Sequence, residues 1–129
     1  MQEQNKEHEK LITDLQEQYG EILGRSEQAM YFYLDDTHKL CNEKFASMLG
    51  YASPQEWQAV TESFPMAFVA EGSREALVGA YQNAMQKHVG SQTAVTWAKK
   101  GGGEVHTSVL LVPIAFGGEL LALHFIDEA

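Results

Sequence analysis

Cysteine is almost missing from this chain. Cys41 stands alone, so no internal disulfide can form, and a reducing, cytoplasmic setting fits that usage. Basic residues are scarce too: nine lysines and arginines stand against eighteen acidic residues, a formal net charge of −9 with a pI near 4.9. An acidic chain repels nucleic-acid phosphates and anionic membrane surfaces, which argues against both as partners. No apolar run reaches the roughly 18 residues of a membrane span. The polar start "MQEQNKEHEK" is unlike a signal peptide. The five histidines, at 8, 38, 88, 106 and 124, show no spacing with the cysteine that resembles a zinc site, so no metal is expected. Proline is equally sparse, and none of the three lies before Pro54.

What is present is a globular composition. The hydrophobic share is 44% of 129 residues, enough for one domain with an extension rather than a disordered chain. Residues 1–28 are rich in Glu, Gln, Lys and Leu, all good helix formers. Ile12, Leu15, Tyr19 and Ile22 fall at 3-4-3 spacing, a heptad-like seam flanked by Leu11 and Leu23. Two readings stand: an amphipathic helix lying on its own domain, or a helix pairing with a dimer mate. Residues 29–129 form the second unit.

In that unit "AMYFYL" (29–34) reads as a strand, "DDTH" as a turn and "KLC" as a short second strand. "NEKFASMLGY" reads as a helix capped by Asn42 and ended by Gly50. "SPQEW" starts another, with Ser53 as cap, Pro54 at the first position and Glu56 three residues after the cap. "GSREALVGAYQNAMQKHVG" predicts a longer helix between a Ser73 cap and Gly90, with Leu77, Tyr81, Ala84 or Met85, and His88 on one face. Three strand-like runs follow, "SQTAVTWAKK", "EVHTSVLLVPIAF" and "ELLALHFI", joined by "GGG" and "FGGE". Glycines beside Lys99 and Lys100 could cradle a phosphate, but such a loop needs a following helix. A β-branched strand follows instead, so a hairpin tip is expected. Strands and helices segregate, which makes the fold α+β.

"NEKFASMLGYASPQEW", "VAEGSREALVGAYQNAMQKHVG", "TWAKKGGGEV", "LLVPI" and "HFID" together resemble, in order and spacing, the motifs of a PAS domain over residues 29–127. Asp127 fits the terminal motif, whereas Glu128 and Ala129 depart from it. The resemblance implies a five-stranded antiparallel sheet with helices across one face, here with an N-terminal capping helix. It implies no catalysis, but a sensory and dimerisation module of a signalling protein. Within a longer chain it would hand over to a domain such as a kinase or cyclase.

The register implied by the resemblance points Val95, Trp97, Thr107, Val109, Leu111, Leu121, Leu123 and Phe125 inward. A small, mostly apolar ligand would then meet Tyr81, Met85, His88, Trp97, Thr107, Val109, Leu111, Leu123 and Phe125, unless Trp97 simply fills the core. The cofactor is unknown. Cys41 lies on the second strand, away from the helix that carries the reactive Cys in flavin photosensors of this kind. "SREALVGA" lacks the His that usually ligates haem. The outer face would carry His106, Ser108, Leu110, Val112, Leu120, Ala122, His124 and Ile126, half of them apolar. Leu110, Val112, Ala122 and Ile126 would therefore meet Ile12, Leu15, Tyr19 and Ile22, and a homodimer is expected. Protonation of His106 and His124 would loosen that surface. The rival reading is a small α+β enzyme of the ketosteroid-isomerase-like kind, using the Asp35, Asp36 and His38 cluster for acid–base chemistry. The two strands before the middle helices speak against it.

Overall fold

The structure, a computed structural model, describes residues 2–128, with only the backbone described for residues 2–4. Its elements are α1 (Gln2–Arg25), β1 (Ala29–Asp35), β2 (His38–Cys41), α2 (Glu43–Met48), α3 (Pro54–Gln58), α4 (Phe64–Phe68), α5 (Glu71–Lys87), β3 (Ser91–Ala98), β4 (Glu104–Phe116) and β5 (Glu119–Glu128). The five strands form one sheet in the order β2-β1-β5-β4-β3, antiparallel at every pairing. This is the expected α+β architecture, with two strands before the middle helices as a ketosteroid-isomerase-like chain would not have.

Local chemistry explains most of the boundaries. The Asn42 carbonyl accepts from the Phe45 N–H at 3.1 Å and the Met30 N–H at 3.2 Å, and its amide donates to the Gln28 carbonyl at 2.8 Å. One side chain therefore caps α2 and ties it to the start of β1. Ser53 caps α3 by accepting from the Glu56 N–H, and Glu56 in return accepts from the Ala52 N–H. α4 has no side-chain cap and spans only five residues, so neither capping nor periodicity announces it. Gly101, Gly102 and Gly103 all take positive φ (89°, 104°, 91°), as a tight tip between β3 and β4 requires. They form a hairpin and not an anion loop.

α5 departs from expectation at both ends. It starts two residues before Ser73, whose hydroxyl instead accepts from the Thr96 N–H of β3 at 2.9 Å. It ends on His88, which adopts the left-handed conformation (φ 58°) that Gly90 was expected to supply. Gly90 is needed for another reason: a Cβ there would lie 3.0 Å from the Leu111 carbonyl oxygen.

The two faces of the sheet are covered differently. The inner face packs Ala29, Tyr31, Cys41, Val95, Trp97, Val109 and Ile126 against Phe45, Leu49, Trp57, Phe64, Phe68 and Leu77 of the helices. On the outer face, Phe32, Leu34, Leu40 and Leu121 pack against Leu11, Leu15 and Leu23 of α1. α1 thus lies on the sheet of its own chain. Its buried stripe is Leu11, Leu15 and Leu23. Of the heptad-like seam only Leu15 is fully buried; Ile12 is half-buried, Tyr19 is 37% exposed and Ile22 60%.

β5 reverses the expected orientation. Val109 pairs with Ile126 and Leu111 with His124, and directly opposed residues share a face. With Thr107, Val109 and Leu111 inward as expected, Ala122, His124 and Ile126 also point inward, while Leu121, Leu123 and Phe125 point outward. Leu110 and Val112 remain outward, as expected. Because α1 covers the outer face, β5 is apolar on both sides, and alternation alone cannot set its parity.

Candidate functional site

Between the inner face of the sheet and helices α4 and α5 lies a cavity of about 50 Å³, lined by Tyr31, Tyr33, Phe64, Pro65, Leu77, Val78, Tyr81 and His124. Strand alternation aims Tyr31 and Tyr33 of β1 into this layer, and His124 of β5 stands directly opposite Tyr31. The His124 ring stacks on Tyr31 with centroids 3.9 Å apart and planes 11° from parallel. Tyr33 meets Tyr81 and Phe64 edge to face, each at 5.1 Å. The Tyr33 hydroxyl donates to Asp36 Oδ1 at 2.8 Å, and the same oxygen accepts from the Phe64 N–H at 3.0 Å, which fixes the start of α4 against the wall.

The polar groups of this cavity are neutral. Burial drives the His124 pKa down to about 3, opposed by the neighbouring Ala122 and Tyr31 backbone. Burial also raises the phenols of Tyr31, Tyr33 and Tyr81, helped at Tyr33 by the bond to Asp36. Two lining residues hold buried polar atoms with no partner, Tyr31 Oη and His124 Nδ1. A buried unpaired donor or acceptor costs about 1–3 kcal/mol.

The structure redistributes the residues expected to meet a ligand. Tyr81 lines the cavity; Met85, one turn on, packs beside Leu111, Ala84 and Ala122. Trp97 is fully buried and closed off: its indole N–H donates to Thr107 Oγ1 at 2.8 Å, and the Thr107 hydroxyl donates to the Val95 carbonyl at 2.8 Å. Val109 belongs to the core beside Trp97, and Leu111 packs against α5. His88 is exposed at the helix end, because the left-handed cap swings it away from the face of α5 that meets the sheet. Leu123 and Phe125 lie across the sheet, through the parity of β5. Ala122 and Ile126, expected under α1, are on the inner face for the same reason. His124 is buried against Tyr31 and cannot serve as a surface switch. Sequence reasoning missed Tyr31, Tyr33, Phe64, Pro65, Leu77, Val78 and His124. A signal existed in "AMYFYL", whose period of two puts both tyrosines on one face.

The acidic–histidine cluster does not converge on one point. Asp36 turns to Tyr33 and α4, whereas Asp35 binds His38 Nδ1 at 2.7 Å and His8 Nδ1, from α1, at 2.6 Å. Burial acts to raise the Asp35 pKa, but hydrogen bonds from His8, His38 and Thr37 outweigh it and hold the carboxyl below its usual range. Next to it, Lys39 is buried and donates to the Asp36 carbonyl at 2.8 Å and to the carbonyls of Gln58, at the end of α3, and Val60 beyond it. Burial lowers its pKa to about 8, opposed by Asp36 and Asp35. Cys41 is buried on β2, and burial pushes its thiol up to about 12, far from a reactive thiolate. The cavity is far smaller than the roughly 300–1,000 Å³ of sites for drug-sized ligands.

No known family's sequence model matches this chain, and no curated protein matches it. Solved structures do. A PAS domain from a two-component sensor histidine kinase superposes with a TM-score of 0.66 at 10% identity, covering 91% of this chain and 99% of that one. The PAS domain of a protein from Colwellia psychrerythraea gives 0.68 at 16% identity, over 90% and 98%. The PAS domain of a LuxR-family transcriptional regulator from Burkholderia thailandensis, solved in complex with ethanol, gives 0.63 at 12% identity, over 85% and 96%. At these identities the likeness is one of architecture, and it agrees with the strand order and motif order already described: this chain has the PAS fold.

Proposed function

We propose that this protein is a sensory module of a signalling protein, binding a molecule of a few heavy atoms between the sheet and α5. The observation that carries this reading is the small, partly open cavity, two of whose lining residues hold buried polar atoms without a partner, Tyr31 Oη and His124 Nδ1. The surrounding rings supply apolar contact, and the two polar atoms would recognise one hydroxyl or carbonyl group. A short alcohol or diol fits that description, and a structural neighbour holds ethanol. The expected experiment is an amide and side-chain NMR titration with ethanol and ethylene glycol. Saturable shifts should be confined to Tyr31, Leu77, Val78, Tyr81 and His124, and Val78→Phe, which fills the cavity, should abolish them. Shifts that never saturate, or that survive Val78→Phe, would refute the ligand reading.

The same module is proposed to homodimerise through its outer face. α1 covers part of that face but leaves Leu110 of β4 45% exposed, and on α1 itself Ile22 60% and Tyr19 37% exposed. Large apolar side chains at these levels beside a buried helix support a second copy of the chain as the cover. None of the described helices is long and apolar enough to cross a membrane.

A further inference from the structure

Two histidines far apart in sequence meet on the outer side of the sheet. His8 comes from α1 and His38 from β2, each 7% exposed, and both present Nδ1 to the one carboxylate of Asp35. The rings meet edge to face with centroids 5.5 Å apart. One donor atom from each of the three residues can be chosen so that all lie within 4.8 Å of one another. The Asp35 side chain is 37% exposed, so the cluster has one side open to solvent. The other ring nitrogen of His8 lies 3.9 Å from Glu119 Oε1.

We propose that His8, Asp35 and His38 form a site for one divalent transition-metal ion, zinc by ligand type, which fastens α1 to the β1–β2 turn. Two imidazoles and a carboxylate are the donor set that zinc and its neighbours prefer, and three protein ligands leave a fourth position for water on the open side. Ligation through Nδ1 puts the single proton of each neutral imidazole on Nε2, so Nδ1 offers its lone pair to the ion and Asp35 meets the metal in place of the two rings' hydrogen bonds. Asp35, at the end of β1 and partly exposed, can retreat from its 2.6–2.7 Å contacts to make room for metal bonds of about 2.0–2.2 Å. With Nδ1 of His8 on the metal, its Nε2–H is left to donate to Glu119, the kind of outer carboxylate that orients metal-bound histidines. The ligands come from α1, β1 and β2, so the ion binds only when α1 is docked, and binding stabilises that arrangement by mass action. The site lies across the sheet from the cavity and does not depend on the ligand reading.

The test adds zinc chloride to the full, tag-free chain at neutral pH, followed by imidazole ¹⁵N NMR and calorimetry. One equivalent should shift the ring nitrogens of His8 and His38 and leave those of His88, His106 and His124 in place, while α1 amides exchange more slowly. His8→Gln and His38→Gln should each weaken binding roughly 10-fold or more, and Glu119→Gln less than either, as outer-ligand changes do. Should His8→Gln undock α1, the wild-type ring shifts decide alone. Unmoved His8 and His38 resonances at saturating zinc would overturn the proposal, as would affinity unchanged in both histidine variants.

Discussion

His124 shows how much one side chain's surroundings determine. It is buried, stacked on Tyr31, and has a folded pKa of about 3 against about 6.5 for an unfolded histidine. As pH falls through 6.5 the unfolded chain takes up the proton first, so the stability this residue contributes is complete above that pH and is lost progressively towards pH 3. In chemical denaturation from pH 7.5 to 4, wild type should lose stability relative to His124→Phe by on the order of 1 kcal/mol per pH unit below 6.5. Phenylalanine keeps the stack and cannot titrate, so the histidines common to both proteins cancel. Parallel pH curves for the two proteins would mean that His124 does not remain neutral. Nothing local in "ALHFI" marks this residue as buried; its position follows from pairing with Tyr31 and Leu111, which sequence spacing does not encode.

At the scale of elements, caps and turns were legible because their signals are local. The helix caps of Asn42 and Ser53 and the turn of the glycine triplet each close within four residues. α1 was legible as an amphipathic helix, yet its buried stripe shifted from Ile12, Leu15, Tyr19 and Ile22 to Leu11, Leu15 and Leu23, with only Leu15 in common, because the sheet it meets, not its own periodicity, selects the face. The end of α5 offers a direct experiment. His88 occupies a left-handed position that costs a residue with a Cβ roughly 1–2 kcal/mol. Since the side chain is exposed, His88→Gly relieves that cost and loses little packing, though glycine forfeits some of the gain in the unfolded chain. A net stabilisation of about 0.5–1 kcal/mol is expected, read as a higher urea midpoint with an unchanged slope. A lower midpoint would show that the His88 ring makes contacts that matter.

For the whole molecule, the fold class and the five-stranded antiparallel sheet were readable from the order of motifs, whereas the meeting of His8 with His38 was not, because contacts between distant segments leave no spacing to detect. Dimerisation belongs at this scale too. In the proposed dimer two copies, each with a formal charge of −9, would repel one another while their apolar surfaces attract. Sedimentation should therefore show tighter dimers in 0.5 M than in 0.05 M salt (concentrations of roughly this size bracket the screening range), and Leu110→Asp should yield monomers. A wild-type protein monomeric in both salts would sink this assembly. β5, finally, is a partition between two compartments. His124 lines the cavity on one side, and Leu123, its neighbour through a single peptide bond, packs under α1 on the other. In the proposed sensory role, a guest that shifts the His124 backbone would also shift the floor on which α1 rests, and the message would cross the thickness of one strand with no relay of side chains between.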